Sequence, residues 1–186
     1  KDDFAVLNAD DQALQGLIPD MRARIALFSS ARELPEGMFL RNNEIIFQMR
    51  GFAREIYPLS IIKLPGLHNV ENVMAAIMSA RFCGIEQESI KSCIAAFRGL
   101  PHRLEFAGEK NAVKFYDDSK GTNVGSVIRA LETFPAAVIL LLGGRDKNGD
   151  FDALKTILPR KVKKVILFGE ARERIDSLIG SSVEKI

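Results

Sequence analysis

The order of apolar and polar residues changes character twice along this chain, near residue 66 and again near residue 100. Phe4-Ala5-Val6-Leu7-Asn8 is a short apolar run of strand type, and Ala9-Asp10-Asp11 behind it can cap a helix over residues 13–18. A strand apolar on both faces normally has neighbours on either side, so this run is expected to follow an earlier segment. Residues 25–29 read as a strand, residues 38–47 as a hairpin turning at Asn42-Asn43, and residues 54–63 as a further strand stopped by Leu64-Pro65-Gly66.

From His68 the spacing becomes helical, with Val70, Val73, Met74, Ile77 and Met78 on one face and Ala75, Ala76 and Ala80 small enough for close packing. A second helix is predicted over residues 86–97. Arg98-Gly99-Leu100-Pro101 then ends the helix and turns the chain, which predicts two structural units meeting there. Paired strands follow over residues 104–108 and 112–117, with Lys110-Asn111 near their turn. Strands over 136–142 and 162–168 then alternate with helices over 150–158 and 171–179. That alternation predicts an α/β fold with a parallel sheet covered by helices on both faces.

Composition narrows the classes. The 186 residues are 47% hydrophobic and 27% charged, the balance of an ordinary globular protein with a core of its own. Lysine and arginine number 26 against 24 acidic residues, too small a surplus to attract a nucleic-acid backbone, so no nucleic-acid partner is expected. Cys83 and Cys93 lack the paired spacing of a zinc site and read as buried, reduced thiols. No apolar run approaches the ~20 residues that span a bilayer, and the first residues do not resemble a signal peptide, so no membrane partner is expected and the cytoplasm is the expected compartment.

Candidate chemistry gathers at element boundaries. Pro65-Gly66-Leu67-His68-Asn69-Val70-Glu71-Asn72 leads into a helix whose first turn favours anions and whose Asn amides can donate to and accept from an adenine edge. Asn69 as a simple helix cap remains the alternative. Tyr116-Asp117-Asp118-Ser119-Lys120-Gly121-Thr122-Asn123 joins a strand to a helix, where α/β sheets place ligands. It could equally be a solvated turn capped by Thr122 or Asn123. Leu142-Gly143-Gly144-Arg145-Asp146-Lys147 again follows a strand; it lacks G-x-G-x-x-G, yet its glycine pair and basic residues suit an anion. Two such loops after strands of one sheet would share one crevice.

With these residues in view the chain resembles the Mur ligases. The matching pieces are Gly66-Leu67-His68-Asn69-Val70-Glu71-Asn72, Gly99-Leu100-Pro101-His102-Arg103-Leu104-Glu105, Asp118-Ser119-Lys120-Gly121-Thr122-Asn123, and Leu142-Gly143-Gly144 through Lys147 to Asp150-Phe151. They occur in family order over nearly the whole chain, and the Asp118 to Asn123 string points to the members that add D-glutamate. The resemblance implies that residues 1–98 are the rump of a P-loop-type central domain, and residues 99–186 a truncated, Rossmann-like domain for the acceptor amino acid. It implies Asn69 and Asn72 at the adenine, Arg103 and Asp118 at the phosphates and ribose, and Lys120, Thr122 and Lys147 at the acceptor, with Lys120 and Arg103 catalytic.

The implied chemistry is ATP-dependent joining of D-glutamate to UDP-N-acetylmuramoyl-L-alanine through an acyl phosphate. Mg2+ would be held by residues outside this chain, and this chain assigns no metal ligand. A related Mur or folylpolyglutamate-type ligase, or a non-catalytic binding module, would share the fold. No G-x-x-x-x-G-K-[ST] is present, so the isolated chain is expected neither to hydrolyse ATP nor to form the amide, and the family's C-terminal domain is expected to continue past Ile186.

Overall fold

The computed structural model describes residues 3–135, 137–145 and 149–186. The chain divides into two compact units, Lys1–Arg98 and Gly99–Ile186.

The first unit is built on a five-stranded sheet in the order β1 (Phe4–Asn8), β2 (Arg24–Ser29), β3 (Gly37–Arg41), β4 (Glu44–Gln48), β5 (Glu55–Pro58). β1, β2 and β3 are parallel, β4 is antiparallel to β3, and β5 is antiparallel to β4. Asn42 and Asn43 both take positive φ, 50° and 63°, as the twist of a two-residue hairpin requires. The strand expected over residues 54–63 stops at Pro58 and passes into a 3-10 turn, Leu59–Ile61. Pro58 has no N–H to carry the ladder onward. Between β1 and β2 the expected helix is reduced to a short one, α1 (Gln12–Gln15), capped by Asp11, and a 3-10 turn.

The long helix α2 (Leu67–Phe82) buries Met74, Ile77 and Met78, and α3 (Gln87–Ala96) buries Ile90. These side chains join Met38, Ile45, Phe47 and Tyr57 from the sheet in one core. Phe4 stacks on Phe82 at 3.8 Å between centroids, and Phe52 sets its edge against both Phe47 and Phe82. Each large side chain buried in this way contributes about 1.5–3 kcal/mol. One polar group is drawn in with them: the buried Glu55 accepts a hydrogen bond from the Tyr57 hydroxyl at 2.5 Å, and Arg81 Nε lies 2.9 Å away as an ion pair without a directed hydrogen bond. Burial, reinforced by the Glu55 carboxylate, pushes the Tyr57 hydroxyl far above its usual range, so it stays a donor.

Both cysteines are exposed, against the expectation of burial. Cys83 lies just beyond the last residue of α2, and Cys93 stands one position off the stripe formed by Ile90 and Ile94.

The second unit opens with an antiparallel hairpin, β6 (Glu105–Lys110) and β7 (Val113–Asp117). Its turn is Asn111-Ala112, again with positive φ at both positions (51° and 62°). Helix α4 (Val124–Thr133) leads to a three-stranded parallel sheet in the order β10 (Glu184–Lys185), β9 (Val162–Phe168), β8 (Val138–Gly143). The segment expected as a helix over 150–158 is a 3-10 helix, Phe151–Thr156, followed by α5 (Leu158–Lys161); α6 (Arg172–Ile179) joins β9 to β10. Leu131, Leu154, Leu158, Val165, Ile175 and Ile179 form the core.

Two expectations for this unit are corrected. Among the described residues β7 pairs only with β6, in a two-stranded sheet separate from that of β8. The reason is legible in Val113-Lys114-Phe115-Tyr116-Asp117, an interrupted and largely exposed strand unlike the continuous apolar runs of a buried parallel sheet. The second correction concerns coverage: on β8, Leu142 is buried but Ile139 and Leu141 are 56% and 66% exposed. Parallel neighbours joined in sequence by crossovers of one hand receive their connecting helices on one face. Among the described residues no helix is long and apolar enough to cross a membrane.

Candidate functional site

In the first unit the ligand-type residues sit where β2 ends and α2 begins. Gly66 supplies the N-cap of α2 with φ 96°, and its lack of a side chain leaves the first turn without a side-chain cap. Asn69 is therefore not the cap; it is the third helical residue, and its Nδ2 donates to the Pro65 carbonyl at 2.7 Å. Asn72 lies on the next turn and is exposed. Between them Glu71 accepts a hydrogen bond from Ser30 Oγ at 2.7 Å, pinning the N-terminal part of α2 to the carboxyl end of β2. Asp10 does the same for β1: its carboxylate accepts from Ser29 Oγ (2.8 Å) and from the Ser30 N–H (3.0 Å). The carboxyl end of parallel strands is the usual ligand side of an α/β sheet. Ser29 and Ser30 drew no attention in the sequence, and Asp10 and Glu71 were read there only as a helix cap and as part of the Gly66 to Asn72 string; a serine pair closing an apolar strand was the available signal.

In the second unit the loop before β6 and the loop after β7 are laced together. His102 takes positive φ (65°), and so does Leu104 (45°), which places Arg103 between two left-handed residues. Each flanking residue is tied to the other loop: the His102 carbonyl accepts from the Lys120 N–H at 3.1 Å, and the Leu104 N–H donates to Asp118 Oδ1 at 3.1 Å. His102 Nδ1 lies 2.7 Å from Asp117 Oδ2, and the His102 N–H donates to Glu105 Oε2 at 2.8 Å. The hydrogen bond with His102, followed by the Ser119 N–H on the other oxygen, holds the Asp117 carboxyl down to about 2.

Behind these residues Gly121 closes a turn onto the Asp118 carbonyl at 2.7 Å, so close that an added Cβ would come within 2.6 Å of Asp118 Oδ2. Asn123 caps α4, accepting from the Ser126 N–H at 2.8 Å, which settles the choice between Thr122 and Asn123. Thr122 and Lys120 are exposed beside it. The structure thus brings Arg103, Asp118, Lys120 and Thr122 onto two adjoining loops. Lys147 lies outside the described residues, and Arg145 is exposed after β8. His102, Glu105 and Asp117 had no role assigned from sequence, although a histidine and an acid three residues apart on a turn were visible there.

This arrangement can do several things. A guanidinium and a carboxylate on neighbouring loops suit the phosphate and hydroxyl groups of a nucleotide, and an exposed lysine and threonine beside them suit a carboxylate.

The family model described as "Mur ligase, glutamate ligase domain" matches residues 102–184. A protein of Syntrophus aciditrophicus named UDP-N-acetylmuramoylalanine--D-glutamate ligase is 47% identical over 186 residues, all of this chain and 41% of that protein. One of the same name from Geotalea uraniireducens is 41% identical over 96% of this chain and 39% of its own length. The chain therefore spans about two fifths of the length of the curated relatives it matches. Among solved structures, a pseudomurein peptide ligase type C from Methanothermus fervidus superposes with a TM-score of 0.72 at 15% identity, covering 97% of this chain and 44% of that one, a likeness of fold alone.

Proposed function

We propose that this chain, which belongs to the Mur ligase family, is the adenine-binding and acceptor-binding part of an ATP-dependent ligase that joins D-glutamate to UDP-N-acetylmuramoyl-L-alanine. The observation that carries this reading is the 47% identity to a ligase of that name over all 186 residues. In it the γ-phosphoryl group of ATP passes to the substrate carboxylate, ADP leaves, the D-glutamate amine attacks the acyl carbon, and phosphate leaves.

This reading assigns the nucleotide to residues whose chemistry suits it. Asn69 and Asn72 offer amides to the adenine, Asp118 accepts from ribose hydroxyls, and Arg103 meets phosphate and the charge that develops during transfer. Lys120, Thr122 and Lys147 receive the acceptor, with Lys120 also at the reacting centre. Mg2+ is held by residues of the enzyme other than these. The reading puts the enzyme in the cytoplasm, in peptidoglycan biosynthesis, and through that in cell shape and division.

The test is a chimera in which this chain replaces the 186 matching residues of the Syntrophus aciditrophicus ligase. ADP release that requires both UDP-N-acetylmuramoyl-L-alanine and D-glutamate is the expected result. A folded chimera that uses a different amino acid, or releases ADP without regard to D-glutamate, would refute the reading. The isolated chain is expected to show no turnover above a buffer control, because the preorganised phosphate cradle is not among its motifs.

A further inference from the structure

We propose that His102, Glu105 and Asp117 form a binding site for a divalent cation of borderline hardness, Zn2+ foremost, at the base of the β6–β7 hairpin. The proposal concerns the second unit alone and does not depend on the ligase reading.

The three side chains bring one imidazole nitrogen and two carboxylate oxygens within 4.8 Å of one another. Even with every side at that limit the centre of the triangle would be about 2.8 Å from each corner, and the His102–Asp117 side is only 2.7 Å, so adjustments of under about 1 Å per side chain reach the ~2.0–2.2 Å bonds that Zn2+ makes to histidine and carboxylate. Imidazole and carboxylate together suit Zn2+ and its neighbours better than Mg2+, which prefers oxygen alone.

A second observation is the strand register. Glu105 and Asp117 are direct cross-strand partners in the hairpin. Like charges placed opposite each other in an antiparallel pair are destabilising, and a cation between them removes the conflict. His102 already stands in that position, its N–H on Glu105 and its ring on Asp117. The backbone N–H and the ring of His102 therefore gather both carboxylates before any ion arrives.

Binding balances simply. His102 coordinates through Nδ1 as the neutral ring with its proton on Nε2, and any proton now shared between Nδ1 and Asp117 leaves to solvent. His102 is 54% exposed on its side chain and Asp117 37%, so the remaining coordination positions open to water.

The experiment is a calorimetric titration of the chain with ZnCl2 at pH 7.5. Both exposed cysteines are replaced by serine (C83S, C93S), so that no thiol competes. Saturable binding at one ion per chain is expected. His102→Gln should lower the affinity about tenfold or more, as should Asp117→Asn, given what losing even a supporting group costs a metal site. His68→Gln, at the other of the two histidines, should leave it unchanged. Circular dichroism identifies any variant that fails to fold, and Glu105→Gln then stands in for it. Absence of saturable binding, or binding that survives His102→Gln with the same affinity, would overturn the proposal.

Discussion

The two units hold their ligand-type residues by different means. Asn69 and Asn72 stand on α2, whose far side is anchored by Met74, Ile77 and Met78 in the core of the first unit. Arg103, Asp118, Lys120 and Thr122 stand on two loops of the second unit, joined by a few hydrogen bonds through residues with positive φ. A helix bolted to a core keeps its N-terminal end in place by the packing farther along it, with the Ser30–Glu71 hydrogen bond in support. The laced loops keep theirs by specific partners, and are correspondingly open to change by pH, by ions and by single substitutions at those partners.

The largest expected effect tests the packed side of this comparison. Phe47 is fully buried, with Phe52 and Phe82 edge-on to it. Phe47→Ala should cost about 3–5 kcal/mol in the urea unfolding transition of the first unit; a loss below about 1 kcal/mol would mean that this core does not hold α2. In the second unit the tightest approach is Gly143 against β9, where an added Cβ would sit 1.9 Å from the Phe168 carbonyl oxygen. Gly143→Ala should cost about 1–3 kcal/mol through forced separation of the strands. An unchanged unfolding midpoint would show that β8 and β9 can part freely.

Acid should act on the laced loops. Asp117 has a folded pKa near 2, below its ordinary 3.8, so its contribution to stability is fully present above about 3.8 and is lost as pH falls from there through about 2. In metal-free buffer the wild-type chain should therefore lose stability over that window more steeply than Asp117→Asn, as read from urea midpoints against pH. Parallel profiles would remove the His102–Asp117 bond from the account. The smallest effect belongs to Leu141, exposed on β8: Leu141→Ala should change stability by less than about 0.5 kcal/mol in the chain as it stands, by the same urea measurement. A loss comparable to that for Phe47→Ala would mean that this face is covered.

Much of this was legible in the sequence because it is written locally. The Asn42-Asn43 hairpin, the helical spacing from Val70 to Met78 and the alternation of strand and helix from β8 onward each depend on neighbours in the chain. What escaped depends on partners far apart or on single backbone choices. Pro58 ended a strand that apolarity alone would have continued. Gly66 took the cap that Asn69 is chemically suited to provide. The separation of β7 from β8 was masked because a loop after any strand looks alike in sequence, whichever sheet the strand joins. The bond between His102 and Asp117 links residues 15 apart and depends on a left-handed histidine, for which no motif exists.

The most direct test of the account is steady-state kinetics on the chimeric ligase, with Asp118→Ala and Lys147→Ala made separately and both ATP and D-glutamate varied. A charge-assisted contact is worth roughly 1.5–3 kcal/mol, about tenfold to a hundredfold in KM. Asp118→Ala should raise the KM for ATP by that factor and leave D-glutamate nearly untouched, and Lys147→Ala should do the reverse. If the two variants gave the same profile, or exchanged profiles, the assignment of nucleotide and acceptor to these loops would be wrong.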